Sequence, residues 1–389
     1  MLYGLLASAP MFVCAFWMLT LAVDVNHRTR ARNMLMVFMF VATVHFLGQA
    51  IYCYHDYRLT ASYDSIYTFA TALVFPVYYL YLRTLTDSKK LNLKSLWVLI
   101  PSILIFISYF TIFLLMSAEE VDVFCRHILY KEPTTAEITT LIKIQRINVI
   151  TLAVVFNIQI PFVAWFGAKR IMAYRRQLSE YYSNPDEKLI APVKILMYCF
   201  IVTAVASIAF NSIGRHFFTQ TSIEWVWVAS IGFVSMLFSV GFVGFRQYFS
   251  IDDMVKDIDT SDKEETVSDD LSELENPDRM KILERKLIQT IEEQQLYLKP
   301  DLRISDVAGY LATNRAYISR IVNQQLKLSF SDFINKYRVE HAKKLLKTNP
   351  KISNNDLAIS SGFGSILSMQ RAFQQLESVS LKEFRKLIL

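Results

Sequence analysis

Hydrophobic and polar positions divide the chain into three stretches with different rhythms. Up to residue 245, long runs free of Asp, Glu, Lys and Arg alternate with polar connections: 2–23, 33–55, 65–82, 95–118, 147–168, 195–214 and 225–245. Each meets or approaches the roughly 20 apolar residues that a helix needs to cross a bilayer core. Over 250–278 apolar residues are few and unperiodic. From 279 onward they return at spacings of three and four, the period of amphipathic helices. The pattern predicts an all-α protein: a seven-helix transmembrane bundle over 1–249, an acidic linker over 250–278 and a soluble seven-helix domain over 279–389.

Charge sharpens these boundaries. The chain is 53% hydrophobic and 20% charged with mean hydropathy +0.28, which excludes disorder along its whole length. Ten glycines and four cysteines exclude a collagen-like or disulfide-framework class. Residues 1–249 carry 20 Lys/Arg and 13 Asp/Glu, residues 250–278 carry 2 and 12, and residues 279–389 carry 19 and 10. The linker is therefore at −10 and reads as a solvated, largely disordered tether. Connections 24–32, 83–94 and 169–194 hold 13 Lys/Arg, whereas 55–64, 119–146 and 215–224 hold six. By the positive-inside rule the first set faces the cytoplasm, the N-terminus lies outside and residue 246 emerges inside. The first run lacks a basic start and is followed by Arg28, Arg30 and Arg32, so it reads as a retained span rather than a cleaved signal.

The bundle offers little catalytic chemistry. The seventh run has no lysine for a retinal Schiff base, none of the runs contains a carboxylate for proton or ion coupling, and there is no HExxH. No metal or cofactor is implied, and the chain does not read as an enzyme. Polar residues do occur within runs. His45, Gln49 and Tyr52 share one face at i, i+4 and i+7, with Asn157 and Asn211 in the fifth and sixth runs. Two readings stay open for these five: hydrogen bonds between helices, or the lining of a ligand cavity open to the outside. Cys53 and Cys125 both fall on the outer side, where an oxidising compartment would let them form a disulfide.

The tail contains one arrangement twice. A first amphipathic helix from Pro277 to about Leu298 precedes ISDVAGYLATNRAYISRIVNQQ, in which Ser305 can cap one short helix and Asn314 the next. The second copy is SNNDLAISSGFGSILSMQRAFQQ: Asn354 or Asn355 caps a helix, Gly362 supplies the tight turn and Ser365 caps the second helix. Each copy reads as a helix-turn-helix. SFSDFINKYRVEHAKKLLKT between them reads as one long amphipathic helix. The second helices begin about 50 residues apart, so a rigid connector could set both in successive major grooves. Arg315, Ala316, Tyr317, Ser319, Arg320 and Asn323 lie outward on or beside the first reading helix, and Ser365, Ile366, Leu367, Gln370, Arg371 and Gln374 on the second. Arg320 is the leading base-contact candidate, because arginine pairs bidentately with guanine. The net charge of +9 over residues 279–389 suits phosphate, although a membrane surface would attract it too.

The segments LxxxNRAYISRIVN, SFSDFINKYRVEHAKKLL, DLAxxSGFGS, RAF and FRK together resemble the DNA-binding domain of the AraC/XylS family of bacterial transcription regulators, over about 95 residues from Tyr297 to the C-terminus. Lys327 and Ser378 stand where that family usually has a turn glycine, and Leu381 where it usually has proline. Joined to seven spans, the domain looks like a membrane-embedded one-component regulator of the bacterial inner membrane, with the DNA-binding domain in the cytoplasm. The resemblance implies double-stranded DNA as partner, with RNA polymerase, membrane lipid, a second copy of the chain and a small-molecule or membrane signal as further partners. The route from bundle to tail is expected through the seventh span, the linker and the 278–298 helix. A transporter or receptor whose tail only binds protein is the alternative.

Overall fold

A computed structural model of the chain describes residues 2–25, 28–87, 93–185, 201–202, 205–206, 222–246 and 277–388. The fold is all-α; among the described residues the one extended pairing is an isolated antiparallel bridge between Tyr182 and Arg303. Contacts divide the chain into two compact units, Met1–Ile171 with Pro192–Ile251, and Met172–Ala191 with Asp252–Leu389.

The first unit comprises α1 (Leu2–Val23), α2 (Arg30–Cys53), α3 (Tyr57–Thr86), α4 (Ile100–Leu115), the short α5 (Ala118–Val123), α6 (Thr140–Tyr181, whose last turns belong to the second unit) and α7 (Ile223–Phe245). Six helices among the described residues are long and apolar enough to cross a membrane. The expected sixth span at 195–214 is described only at 201–202 and 205–206, and the linker expected over 250–278 is described only from 277. Helix α1 packs on α2 and α7, α2 on α3, and α3 on α4. The α1–α7 contact is tight: a Cβ built on Gly241 would lie 2.3 Å from the Trp17 ring, so a small residue is what lets the helices meet.

The runs without charge understate two of these helices. Asp56 caps α3, accepting from the Leu59 N–H at 2.9 Å, so the helix begins well before residue 65. Asp64 consequently lies inside α3, 1% exposed, and accepts a hydrogen bond from the Tyr109 hydroxyl of α4. The apolar helices thus do contain a carboxylate, contrary to the expectation from uninterrupted runs. Thr29 likewise caps α2 ahead of its apolar run, and Arg32 is buried within it, bonding Asp24 at 2.7 Å and the Phe245 carbonyl. Capping decides where a helix starts; the first charged residue does not.

The polar residues singled out in the bundle tie elements together. His45 Nδ1 lies 2.9 Å from Thr71 Oγ1, and its ring stacks on Tyr67 at 5.2 Å. Gln49 is buried and donates to Cys53 Sγ, while its Oε1 accepts from Tyr67 at 3.5 Å. The Tyr52 hydroxyl donates to the Leu129 carbonyl at 3.0 Å, and the rings of Tyr52 and Tyr130 stack at 4.4 Å, pinning the 118–139 segment to α2. Asn157 is half-buried on α6, and Asn211 lies outside the described residues. Cys53 and Cys125 are both buried in this same cluster, and the structure carries no bond between their sulfurs. The polar residues around the cavity that α3, α4 and α6 enclose do not include these five: its walls are Pro76, Trp97, Pro101, Val155, Gln159 and neighbouring apolar side chains, around about 260 Å³.

The second unit contains α8 (Pro277–Glu293), α9 (Ile304–Tyr310), α10 (Arg315–Arg320), α11 (Phe330–Thr348), α12 (Asn354–Ser360), α13 (Ile366–Glu377) and α14 (Leu381–Ile388). Helix α8 stops at Glu293, earlier than the expected Leu298, because Gln295 turns left-handed at φ 49° and a short tight turn follows. Its Met280, Leu287 and Ile291 are buried.

Candidate nucleic-acid interface

In the first helix-turn-helix, Val307 and Ala308 of α9 and Ile318 of α10 have no exposed surface, and neither do Ile321 and Val322 in the turn that extends α10. Ala308 is small enough to let the two helices cross closely. Asn314 caps α10 as expected, accepting from the Ala316 N–H at 2.8 Å. Ser305, in contrast, is not a cap. Arg303 holds that position, its N–H bonded to the Asp306 carboxylate at 2.8 Å, and Ser305 is 9% exposed inside the first turn of α9.

The second helix-turn-helix is built on the same plan. Leu357 and Ala358 of α12 face Met369 and Phe373 of α13 in one buried cluster with Val339, Ala342 and Leu346 of α11. Ser353 caps α12, accepting from Asp356 N–H at 3.1 Å, in place of the expected Asn354 or Asn355. Ser365 caps α13 as expected. Gly362 makes the turn at φ +78°. Lys343 of α11 reaches Glu377 of α13 at 3.1 Å and Glu340 at 2.8 Å, which fastens the connector to the second reading helix. These carboxylates, Glu340 first, hold the Lys343 ammonium above its ordinary range.

The outward side chains divide by burial. Ala316 is exposed, and Ser319, Arg320 and Asn323 are half-buried along one side of α10. Arg320 is steadied by Gln324 at 3.2 Å, and Asn323 donates to Ser319 at 3.1 Å. Tyr317 is 5% exposed and turned into the domain, because an aromatic ring beside Ile318 is drawn into the core; the structure therefore places it away from a reading surface. On α13, Leu367 is 62% exposed, and Gln370, Arg371 and Gln374 are also exposed. Ile366 is half-buried against the α11–α13 core. An exposed leucine on a reading helix is chemically suited to a thymine methyl.

Lys327 and Ser378 both adopt the left-handed conformation, at φ 54° and 58°, where the resembling family usually has glycine. A side chain there costs roughly 1–2 kcal/mol, against about 0.5–1 kcal/mol of extra chain entropy lost by glycine. Lys327→Gly and Ser378→Gly are each expected to stabilise the second unit by about 0.5–1 kcal/mol, seen as slower cleavage of this unit by protease in urea. Faster cleavage in both variants would show that these side chains contribute contacts outweighing the strain.

Two features of this unit had no signal in periodicity or capping. Arg338 of α11 has no exposed surface; it donates to the carbonyls of Tyr297 at 2.7 Å and Lys299 at 2.8 Å, to Ser183 Oγ at 3.0 Å and to Asn184 Oδ1 at 2.8 Å. Tyr181, Tyr182, Ser183 and Asn184 are themselves buried. In the sequence Arg338 is one basic residue on an amphipathic helix, and 181–184 reads as polar loop.

Residues 307–387 match the family described as Helix-turn-helix domain. Among curated proteins the tail is similar to uncharacterized HTH-type transcriptional regulators of Staphylococcus aureus, strains MSSA476 and N315, each 30% identical over 101 residues, or 26% of this chain and 13% of that protein. It is also similar to the Msm operon regulatory protein of Streptococcus mutans serotype c, 33% identical over 85 residues, 22% of this chain and 30% of that protein. The matched segment thus spans about an eighth of the first relatives' length and under a third of the other's. No solved structure matches the chain. The C-terminal part of this chain, with its two capped helix pairs on one connector, is a helix-turn-helix domain.

Proposed function

We propose that the chain is a membrane-anchored, sequence-specific DNA-binding transcription regulator, which couples a signal received by its apolar bundle to gene expression. The observation that carries this is the pairing of six helices, among the described residues, long and apolar enough to cross a membrane with a domain bearing two helix-turn-helix pairs. Names of the relatives support the transcriptional half. The membrane half rests on helix length and composition, and the cytoplasmic placement of the tail on the Lys/Arg distribution. Arg320 and Arg371 are the residues proposed to read base edges, with Ala316, Ser319, Asn323, Leu367, Gln370 and Gln374 beside them. Arg315 and the capping Ser365 and Ile366 flank these two surfaces.

The test is selection from a random-sequence duplex pool by the full chain held in lipid nanodiscs. Enrichment of a bipartite sequence is expected, with affinity falling steeply as salt rises. Arg320→Ala should weaken the selected duplex by about 1–3 kcal/mol, or roughly five- to 150-fold, and relax preference at one base pair. Binding without sequence preference, or an Arg320→Ala variant indistinguishable from wild type, would overturn this reading.

A further inference from the structure

Helix α6 starts at Thr140 in the apolar unit and ends at Tyr181, and the residues after Ile171 belong by their contacts to the unit with the helix-turn-helix pairs. The chain leaving α6 is built into that unit. The Ser183 N–H donates to the Leu302 carbonyl at 3.0 Å, beside the isolated Tyr182–Arg303 bridge just ahead of α9. The Tyr181 hydroxyl meets Ser305 Oγ at 3.2 Å, and the Arg315 guanidinium, at the start of the first reading helix, lies 5.9 Å from the Tyr181 ring. On the connector, Ser331 donates to the Ser183 carbonyl at 3.0 Å, and Arg338 bonds both Ser183 and Asn184. Asn184 Nδ2 donates to the Pro300 carbonyl at 2.7 Å and lies 3.5 Å from the carbonyl of Gly362, the turn of the second helix-turn-helix. One turn back, Arg175 and Arg176 share the walls of a cavity of about 330 Å³ with Arg371 and Gln375 of the second reading helix.

A tetrapeptide fully enclosed by polar contacts to the first helix pair, the connector and the second turn acts as a three-way joint. Two reading helices bind adjacent grooves only at one mutual spacing. A joint that populates that spacing removes the affinity loss of sampling others. We propose that Tyr181–Asn184 is a plug that sets the relative position of the two reading helices, and that α6, the helix carrying the fifth candidate span, transmits the state of the bundle by seating or withdrawing it. This inference rests on the DNA-binding reading above. It differs from a route through the seventh span and the acidic tether, because its contacts are direct and the tether is not needed.

The full chain in nanodiscs tests it. Tyr182 and Arg303 form a bridge whose hydrogen-bond pattern is that of the closer, non-hydrogen-bonded pair, about 4.5 Å between Cα atoms, which a disulfide can span. In the variant Tyr182→Cys/Arg303→Cys, with a protease site inserted after Ser261, oxidation is expected to keep the two cleaved halves joined until reductant is added. Either single variant should fall apart.

Ser183→Ala/Asn184→Ala leaves Arg338 its bonds to the Tyr297 and Lys299 carbonyls, so the domain should stay folded, as its protease resistance will show. This variant is expected to bind the selected duplex about tenfold more weakly, the effect of populating the competent spacing about one time in ten. It should also lose most of the wild type's discrimination against a duplex with about 5 base pairs, half a turn, inserted between the two elements. A general loss of stability would leave that discrimination intact and overturns the proposal. Halves that separate under oxidation, or a variant with unchanged affinity and spacing preference, overturn it too. A wild type that selects no duplex while the cross-link still forms defeats the DNA-binding reading, and with it this inference; the cross-link tells that failure apart from an unseated plug.

Discussion

Arg338→Leu is expected to destabilise the C-terminal unit by about 3–5 kcal/mol, because several buried neutral acceptors lose their shared donor at once. Leucine fills part of the volume but donates nothing. The carbonyls of Tyr297, Lys299 and Pro300, together with Ser183 and Asn184, lose a shared donor in a place with no exposed surface for the guanidinium. Each buried acceptor left unsatisfied costs about 1–3 kcal/mol. Arg338→Lys should recover only part of the loss, because one ammonium cannot reach the three directions that the guanidinium fork serves. The check is urea-dependent proteolysis of the full chain, followed at sites in the C-terminal unit. A shift of under about 1 kcal/mol for leucine would mean that water replaces the guanidinium and that the network is not structural.

Gly362→Ala is the second large effect, expected at about 3 kcal/mol or more. Two costs add. At φ +78° any L side chain pays roughly 1–2 kcal/mol for the left-handed conformation. A Cβ would also stand 2.4 Å from the Tyr297 carbonyl oxygen and 2.7 Å from the Leu298 Cα, both main-chain atoms that cannot swing aside. Relief requires the turn between α12 and α13 to move off the 297–298 segment, whose Tyr297 carbonyl is also an acceptor of Arg338. Gly309→Ala is the control. Its Cβ would meet nothing within 4 Å on helix α9, so helix propensity alone predicts a neutral or slightly stabilising change. Thermal aggregation and protease resistance of the two variants should therefore move in opposite directions, or the second should not move at all. Equal destabilisation of both would refute the steric argument.

Local rules are legible where they act within a few residues. The apolar runs located six helices, the caps Asn314 and Ser365 were readable from residue type and position, and the left-handed Lys327 and Ser378 followed from the resemblance. Expectation and structure part where adjacent residues offer equivalent local signals or where distant neighbours decide. Ser353 rather than Asn354 caps α12 because its hydroxyl lines up with the Asp356 N–H, a choice among adjacent polar residues that composition does not distinguish. Asp64 lies inside α3 because Asp56 caps that helix, and its burial is met by the hydroxyl of Tyr109, 45 residues away. Tyr317 alternates with readers along the chain, yet its ring is buried.

The sequence by itself determined the all-α character, the apolar helices, the two helix-turn-helix copies and the long connector, since each follows from periodicity, capping and span length acting locally. Only tertiary structure decided that Arg338 is buried rather than solvated, that His45, Gln49 and Tyr52 are engaged between elements, and that Tyr181–Asn184 belongs to the domain of the tail. Those outcomes depend on which distant backbone carbonyls and side chains converge on a polar group once its surroundings exclude water. Such convergence leaves no period in the chain, because a buried charge and an exposed one are written with the same residue.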